Sequence, residues 1–205
     1  MSDVMPDTED FEARWPEEGD RLFIESEWAS DAHVVCDPGE RFYRMPKGYK
    51  RAGDILIDQA ANDVVHRPNV IYAALFCYRQ SIELFLKRLI EEFGQGRVWL
   101  PKNTHELSLL WERFMCVSNE RGASESIGLS AAQGLIHEMD SADKKSDGFR
   151  FPTANDGTPF LFGDRGIDLA NVREVMQGLQ NFFECVYLDF SHQDDIALES
   201  SRFFF

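Results

Sequence analysis

This sequence predicts an all-α fold: an antiparallel helical bundle of about five helices, with an irregular acidic N-terminal arm and a long loop before the last helix. Three observations carry that prediction. Apolar residues recur at three- and four-residue steps through most of the chain after Gly48, capping signals open several of those stretches, and Gly or Pro closes others. Amphipathic stretches joined mostly by short connections pack most simply side by side.

Residues 1–47 read as leader and arm. Met1 to Asp20 is rich in Asp, Glu and Pro with few apolar anchors, the composition of a mobile acidic leader. Arg21 to Ser26 suits a short strand or an extended arm, and Pro38-Gly39 and Pro46 interrupt any long element. Residues 48–190 form the bundle. A first helix is expected over Tyr49–Val65, stopping before His66-Arg67-Pro68 because a residue preceding proline is pushed out of the helical region. The second, Asn69–Phe93, has the clearest stripe, Ile71, Leu75, Tyr78, Ile82, Phe85, Leu86, Leu89 and Phe93, and ends at Gly94. A third runs to about Asn119 from a capping box of Asn103 and Glu106. The fourth opens on Ser130 as N-cap and ends in the polar run Asp140 to Gly148. After a long Gly/Pro-containing connection, Phe149 to Ile167, the last helix starts at the cap Asp168 and runs to about Phe190. Residues 191–205 are a tail whose Phe203-Phe204-Phe205 is placed to dock on a neighbour.

Composition narrows the function classes. The 205 residues carry 21 Lys+Arg against 36 Asp+Glu, a net charge of −15, which disfavours coating of bulk DNA or of anionic lipid. With 43% hydrophobic and 13% aromatic residues the chain can build its own core without metal or disulfide support. No run of about 18 apolar residues occurs, and the N-terminus is acidic where a secretory signal is basic and then apolar, so a cytoplasmic location is expected. Cys36, Cys77, Cys116 and Cys185 form no metal-type pair, and the last three are expected as small buried hydrophobes within helices. His137-Glu138 begins like a zincin helix, but Ser141 stands where the second histidine belongs. No metal and no cofactor are expected. Phosphate-loop, dinucleotide-fold and nucleophile-elbow patterns are absent from the sequence.

Three features remain for chemistry. Arg79, Glu83 and Lys87 follow at four-residue steps along one line of the second helix. They form either a surface ion-pair row or a partly buried row whose cations face a ligand, and the exposure of Glu83 separates the two. Phe149-Arg150-Phe151-Pro152 presents a guanidinium between two rings, either as a loop anchor paired with a carboxylate such as Glu83 or as a contact to phosphate or RNA. His105, in the first turn of the third helix, is a hydrogen-bonded structural residue or, in an active site, the best placed general acid or base.

Together, Tyr78-Arg79-Gln80-Ser81-Ile82-Glu83-Leu84-Phe85-Leu86-Lys87-Arg88-Leu89, then Thr104-His105-Glu106-Leu107, then Phe149-Arg150-Phe151-Pro152 and a final amphipathic helix resemble uncharacterised bacterial members of the HEPN superfamily. The similarity covers roughly residues 48–190. It implies a helical bundle, often a homodimer, in a superfamily linked to ribonuclease activity, toxin–antitoxin pairs and phage defence. Active members carry an arginine followed, after four to six intervening residues, by a histidine near the start of the last long helix. Here Arg165 and Arg173 have no histidine within reach, and Arg97 precedes His105 by seven intervening residues. The endonuclease signature is therefore missing.

The leading expectation is a binding module without ribonuclease activity, with Arg79, Glu83, Lys87 and Arg150 as its ligand-binding residues. Its partner is a protein encoded nearby, a nucleotide or RNA. The competing expectation is a metal-independent RNA endonuclease with His105 as acid/base and Arg150 or Arg79 stabilising the transition state. A third is a structural subunit tethered by its leader and tail.

Overall fold

A computed structural model describes residues 14–23, 32, 34–100, 104–122, 128–160 and 166–202. The chain divides into two units, Met1–Val35 and Cys36–Phe205. The described residues of the first carry no helix or strand, and Arg14 pairs there with Asp20 at 2.6 Å. Of the stretch read as a strand or arm, only residues 21–23 are described.

The second unit is an all-α antiparallel bundle: α1 Pro38–Asn62, α2 Arg67–Phe93, α3 Leu107–Glu120, α4 Leu129–Ala142 and α5 Leu169–Arg202. The bundle is organised around α2, which packs against α1, α3 and α5, while α4 lies against α3. Its stripe supplies Tyr78, Ile82, Leu86, Leu89 and Ile90, all at 1% exposure or less. Phe85 stacks on Phe183 of α5 with ring centroids 5.2 Å apart, and Phe93 meets Tyr187 and Phe190 edge-on. Trp111 and Phe114 of α3 close the core from the other side. The approach of α1 to α2 requires Gly53, because a Cβ there would stand 2.6 Å from two ring carbons of Tyr78.

Helix boundaries depart from the periodicity in instructive ways. α1 starts at Pro38 rather than Tyr49, because Asp37 accepts from the Glu40 amide at 2.8 Å and Pro38 occupies the first turn, where a missing N–H costs nothing. Pro46 does not interrupt the helix; it is buried within it, and its carbonyl accepts from Ser81 Oγ at 2.8 Å. α4 starts at Leu129 after Gly128, whose φ of 87° lies in the left-handed region, so Ser130 is inside the helix and not its cap. Asp168 caps α5 by accepting from the Asn171 amide at 3.1 Å. α5 then continues past Phe190 to Arg202, through a stretch without an apolar stripe but also without Gly or Pro. Asn103 lies outside the described residues. The cysteine expectation is corrected: Cys116 and Cys185 are exposed and Cys77 only half-buried, since each sits one step off its helix's buried stripe.

Candidate functional site

Glu83 settles the question its exposure poses. It is 1% exposed, so the Arg79–Glu83–Lys87 line is a buried charge cluster and not a surface row. Arg79 Nη1 donates to Glu83 Oε2 at 3.1 Å and Lys87 Nζ to Oε1 at 2.7 Å. His105 Nδ1 lies 3.0 Å from the same Oε1. Burial by itself would raise the Glu83 carboxyl; Lys87 and then His105 outweigh it and hold it below the usual carboxylate value.

Arg79 has no exposed surface, and its Nε and Nη2 donors are spent on backbone. Nε donates to the Asp143 carbonyl at 2.7 Å, and Nη2 donates to the carbonyls of His105 at 2.6 Å and Lys144 at 3.3 Å. The guanidinium thus ties α2 to the chain entering α3 and to the end of α4, where helix carbonyls lack partners of their own. Two aspartates of the α4 end complete the junction. Asp140 caps α3 from a distance, accepting from the Leu107 amide at 2.7 Å and Ser108 Oγ at 2.6 Å. Asp143 Oδ1 accepts from the amides of Asp147 and Gly148, shaping the turn that follows. Both lie in the polar run that reads from sequence only as a helix terminus; no local spacing points to partners so far along the chain.

His105 stands just ahead of α3 rather than in its first turn, and its side chain is 51% exposed. Nδ1 faces the Glu83 carboxylate, and Nε2 lies on a ring half open to solvent.

Arg150 is placed elsewhere. It does not pair with Glu83: Nη2 donates to Asp147 Oδ1 at 2.8 Å and Nε to the Ser146 carbonyl. Its guanidinium lies 5.7 Å from the Phe76 ring centre and 5.2 Å from that of Phe151. Phe149 is buried and Phe151 half exposed, so only one of the two flanking rings plugs the bundle. The structure therefore brings Arg79, Glu83, Lys87 and His105 together and leaves Arg150 out.

A second buried network escaped sequence reasoning altogether. Lys50 of α1 pairs with Asp54 at 2.8 Å and also donates to Gln177 of α5, while Tyr78 OH donates to Asp54 Oδ1 at 2.9 Å. Burial, and then Asp54, push the Tyr78 hydroxyl well above the ordinary tyrosine value. The i,i+4 spacing of Lys50 and Asp54 was the available signal, but it is common on solvent faces.

An apolar groove of about 300 Å³ lies between α2, α4 and the start of α5, with Leu75, Leu135, Met139, Phe149, Val172 and Met176 among its walls. Among the described residues no three His, Cys, Asp or Glu side chains stand together as a metal site, and no helix is long and apolar enough to cross a membrane. Compared with family models, curated proteins and solved structures, the chain matches none.

Proposed function

We propose that this chain is an HEPN-like helical binding module that does not cleave RNA and acts through a protein partner in a bacterial defence or stress response. The observation that carries this reading is the state of Arg79. Its guanidinium is sealed, with hydrogen bonds to Glu83, Asp143, His105 and Lys144, so it has no face to offer a phosphorane beside His105. Arg150, the other arginine considered for that role, is turned toward Asp147 and Ser146. On this reading Arg79, Glu83, Lys87 and His105 fasten three helices, and binding falls to the outer surface. A net charge of −15 suits a basic protein partner far better than a long nucleic acid.

A second reading, metal-independent RNA cleavage, is favoured by one feature: a buried carboxylate orients an imidazole whose other nitrogen is half open to solvent. Labelled RNA incubated with the purified chain and with His105→Ala decides between them. The binding module leaves the RNA intact in both samples and differs between them only in melting temperature. Cleavage by the parent chain that disappears in His105→Ala overturns it.

A further inference from the structure

Arg79, Arg88 and Arg121 are all nine-tenths buried or more, but they use their donors differently. Arg79 and Arg121 bond both terminal nitrogens to carbonyls or carboxylates of the chain. Arg88 of α2 bonds through Nε alone, to Glu92 Oε2 at 3.3 Å, and neither Nη1 nor Nη2 has a hydrogen-bond partner among the described residues. Its guanidinium is nonetheless held in place. It lies 3.8 Å from the Tyr187 ring centre and 5.1 Å from that of Tyr43, and Tyr187 OH donates to Glu92 Oε1 at 2.7 Å. A guanidinium fixed through its face and its Nε keeps two terminal amino groups free as a fork, the shape that takes a carboxylate through parallel bonds.

That fork belongs to a pocket of about 410 Å³ which Arg88 shares with the first turns of α1. Asp37 is committed to the Glu40 amide and Pro38 has no N–H, so the Gly39 amide is the first-turn donor left without an acceptor among the described residues. The positive end of a 25-residue helix stands behind it. Pro38 and Phe42 make the neighbouring wall apolar.

Two acids line the same pocket, and they decide the charge of what can enter. Glu92 has both oxygens engaged, one by Tyr187 and one by Arg88, and so positions the guanidinium. Glu91 is exposed and forms no ion pair among the described residues, and the whole chain carries −15. A doubly charged phosphate meets twice the repulsion that a single carboxylate meets.

We infer that this pocket binds a small organic monocarboxylate. The carboxylate accepts from Nη1 and Nη2 of Arg88 and from the Gly39 amide, and its apolar body lies against Pro38 and Phe42. The site shares no residue with the Arg79–Glu83–Lys87–His105 cluster and does not depend on the functional reading above.

Isothermal titration of the full chain with sodium benzoate tests this, with benzamide as the uncharged counterpart. Benzoate is expected to bind at one site per chain with a dissociation constant of about 0.1–1 mM, the range open to so small a ligand. Benzamide is expected to bind at least about tenfold more weakly, and Arg88→Gln to weaken benzoate by at least as much, since each removes a charge-assisted pair. Glu91→Gln removes a like charge at an exposed position and is expected to tighten benzoate about two- to threefold. If Arg88→Gln lowers the melting temperature, Arg88→Lys takes its place, keeping the charge while losing the fork, and is also expected to bind benzoate more weakly than the parent. A chain that takes up no benzoate at about 10 mM, benzamide bound as tightly as benzoate, a folded Arg88 variant or a Glu91→Gln chain that binds benzoate no differently from the parent, or inorganic phosphate that displaces benzoate at equal concentration overturns the proposal.

Discussion

The junction of α2, α3 and α4 and the turn after α4 each hold an arginine, and they hold it in opposite ways. Arg79 has no exposed surface and reaches partners 64 and 65 positions away in sequence, at Asp143 and Lys144. Arg150 keeps 40% of its side chain in solvent and pairs three and four positions back, with Asp147 and Ser146. A charge on a local turn exchanges water for a neighbour at little gain, whereas a sealed charge serving three segments becomes indispensable once the fold has closed around it. Sequence prominence therefore ranks the two wrongly: the ring-flanked Arg150 is the more conspicuous, and Arg79 is the one the bundle depends on.

The largest effect separating these regions is expected from Arg79→Met. It leaves Glu83 without one of its donors and strips partners from three backbone carbonyls, a loss of about 3–5 kcal/mol, read as a shift in urea midpoint at unchanged slope. Glu83→Gln should cost about 2–3 kcal/mol, because Arg79 keeps its carbonyl partners while Lys87 and His105 lose a carboxylate. That variant also carries a pH signature. The Glu83 carboxyl titrates below its ordinary 4.5 in the folded chain, so its contribution is present above that value and fades as pH falls through the lower folded value. Unfolding free energy measured from neutral pH downward should fall less steeply in Glu83→Gln than in the parent. His105→Ala removes a half-exposed donor and should cost about 1 kcal/mol by thermal melting. Arg150→Ala should cost about 0.5 kcal/mol, since its ion pair is exposed and local. A reversal of order between Arg79 and Arg150 would break the contrast.

How much of this could be read in advance follows the same division between local and distant contacts. The five helices were legible because their apolar stripes repeat with the period of the element itself, as in Ile82, Phe85, Leu86 and Leu89 of α2. The Asp168 cap was legible because it acts within its own first turn. The beginning of α1 was not, since Pro38 and Pro46 look like breaks until Asp37 supplies a cap and Ser81 engages the Pro46 carbonyl. Within the candidate site, Arg79, Glu83 and Lys87 were aligned by spacing, but their burial depended on α3 and α4 closing over them. Asp140, Asp143 and the Lys50–Asp54–Tyr78 network were out of reach, because each acts on groups that become neighbours only when the bundle packs.

Paired urea unfolding of Arg79→Met and Arg150→Ala against the parent chain bears hardest on the idea that the buried charge cluster holds the fold. The expected result is a loss of about 3 kcal/mol or more for the first and about 0.5 kcal/mol for the second. An Arg79→Met chain as stable as the parent would mean that Arg79 is a spectator and that the cluster serves some other purpose.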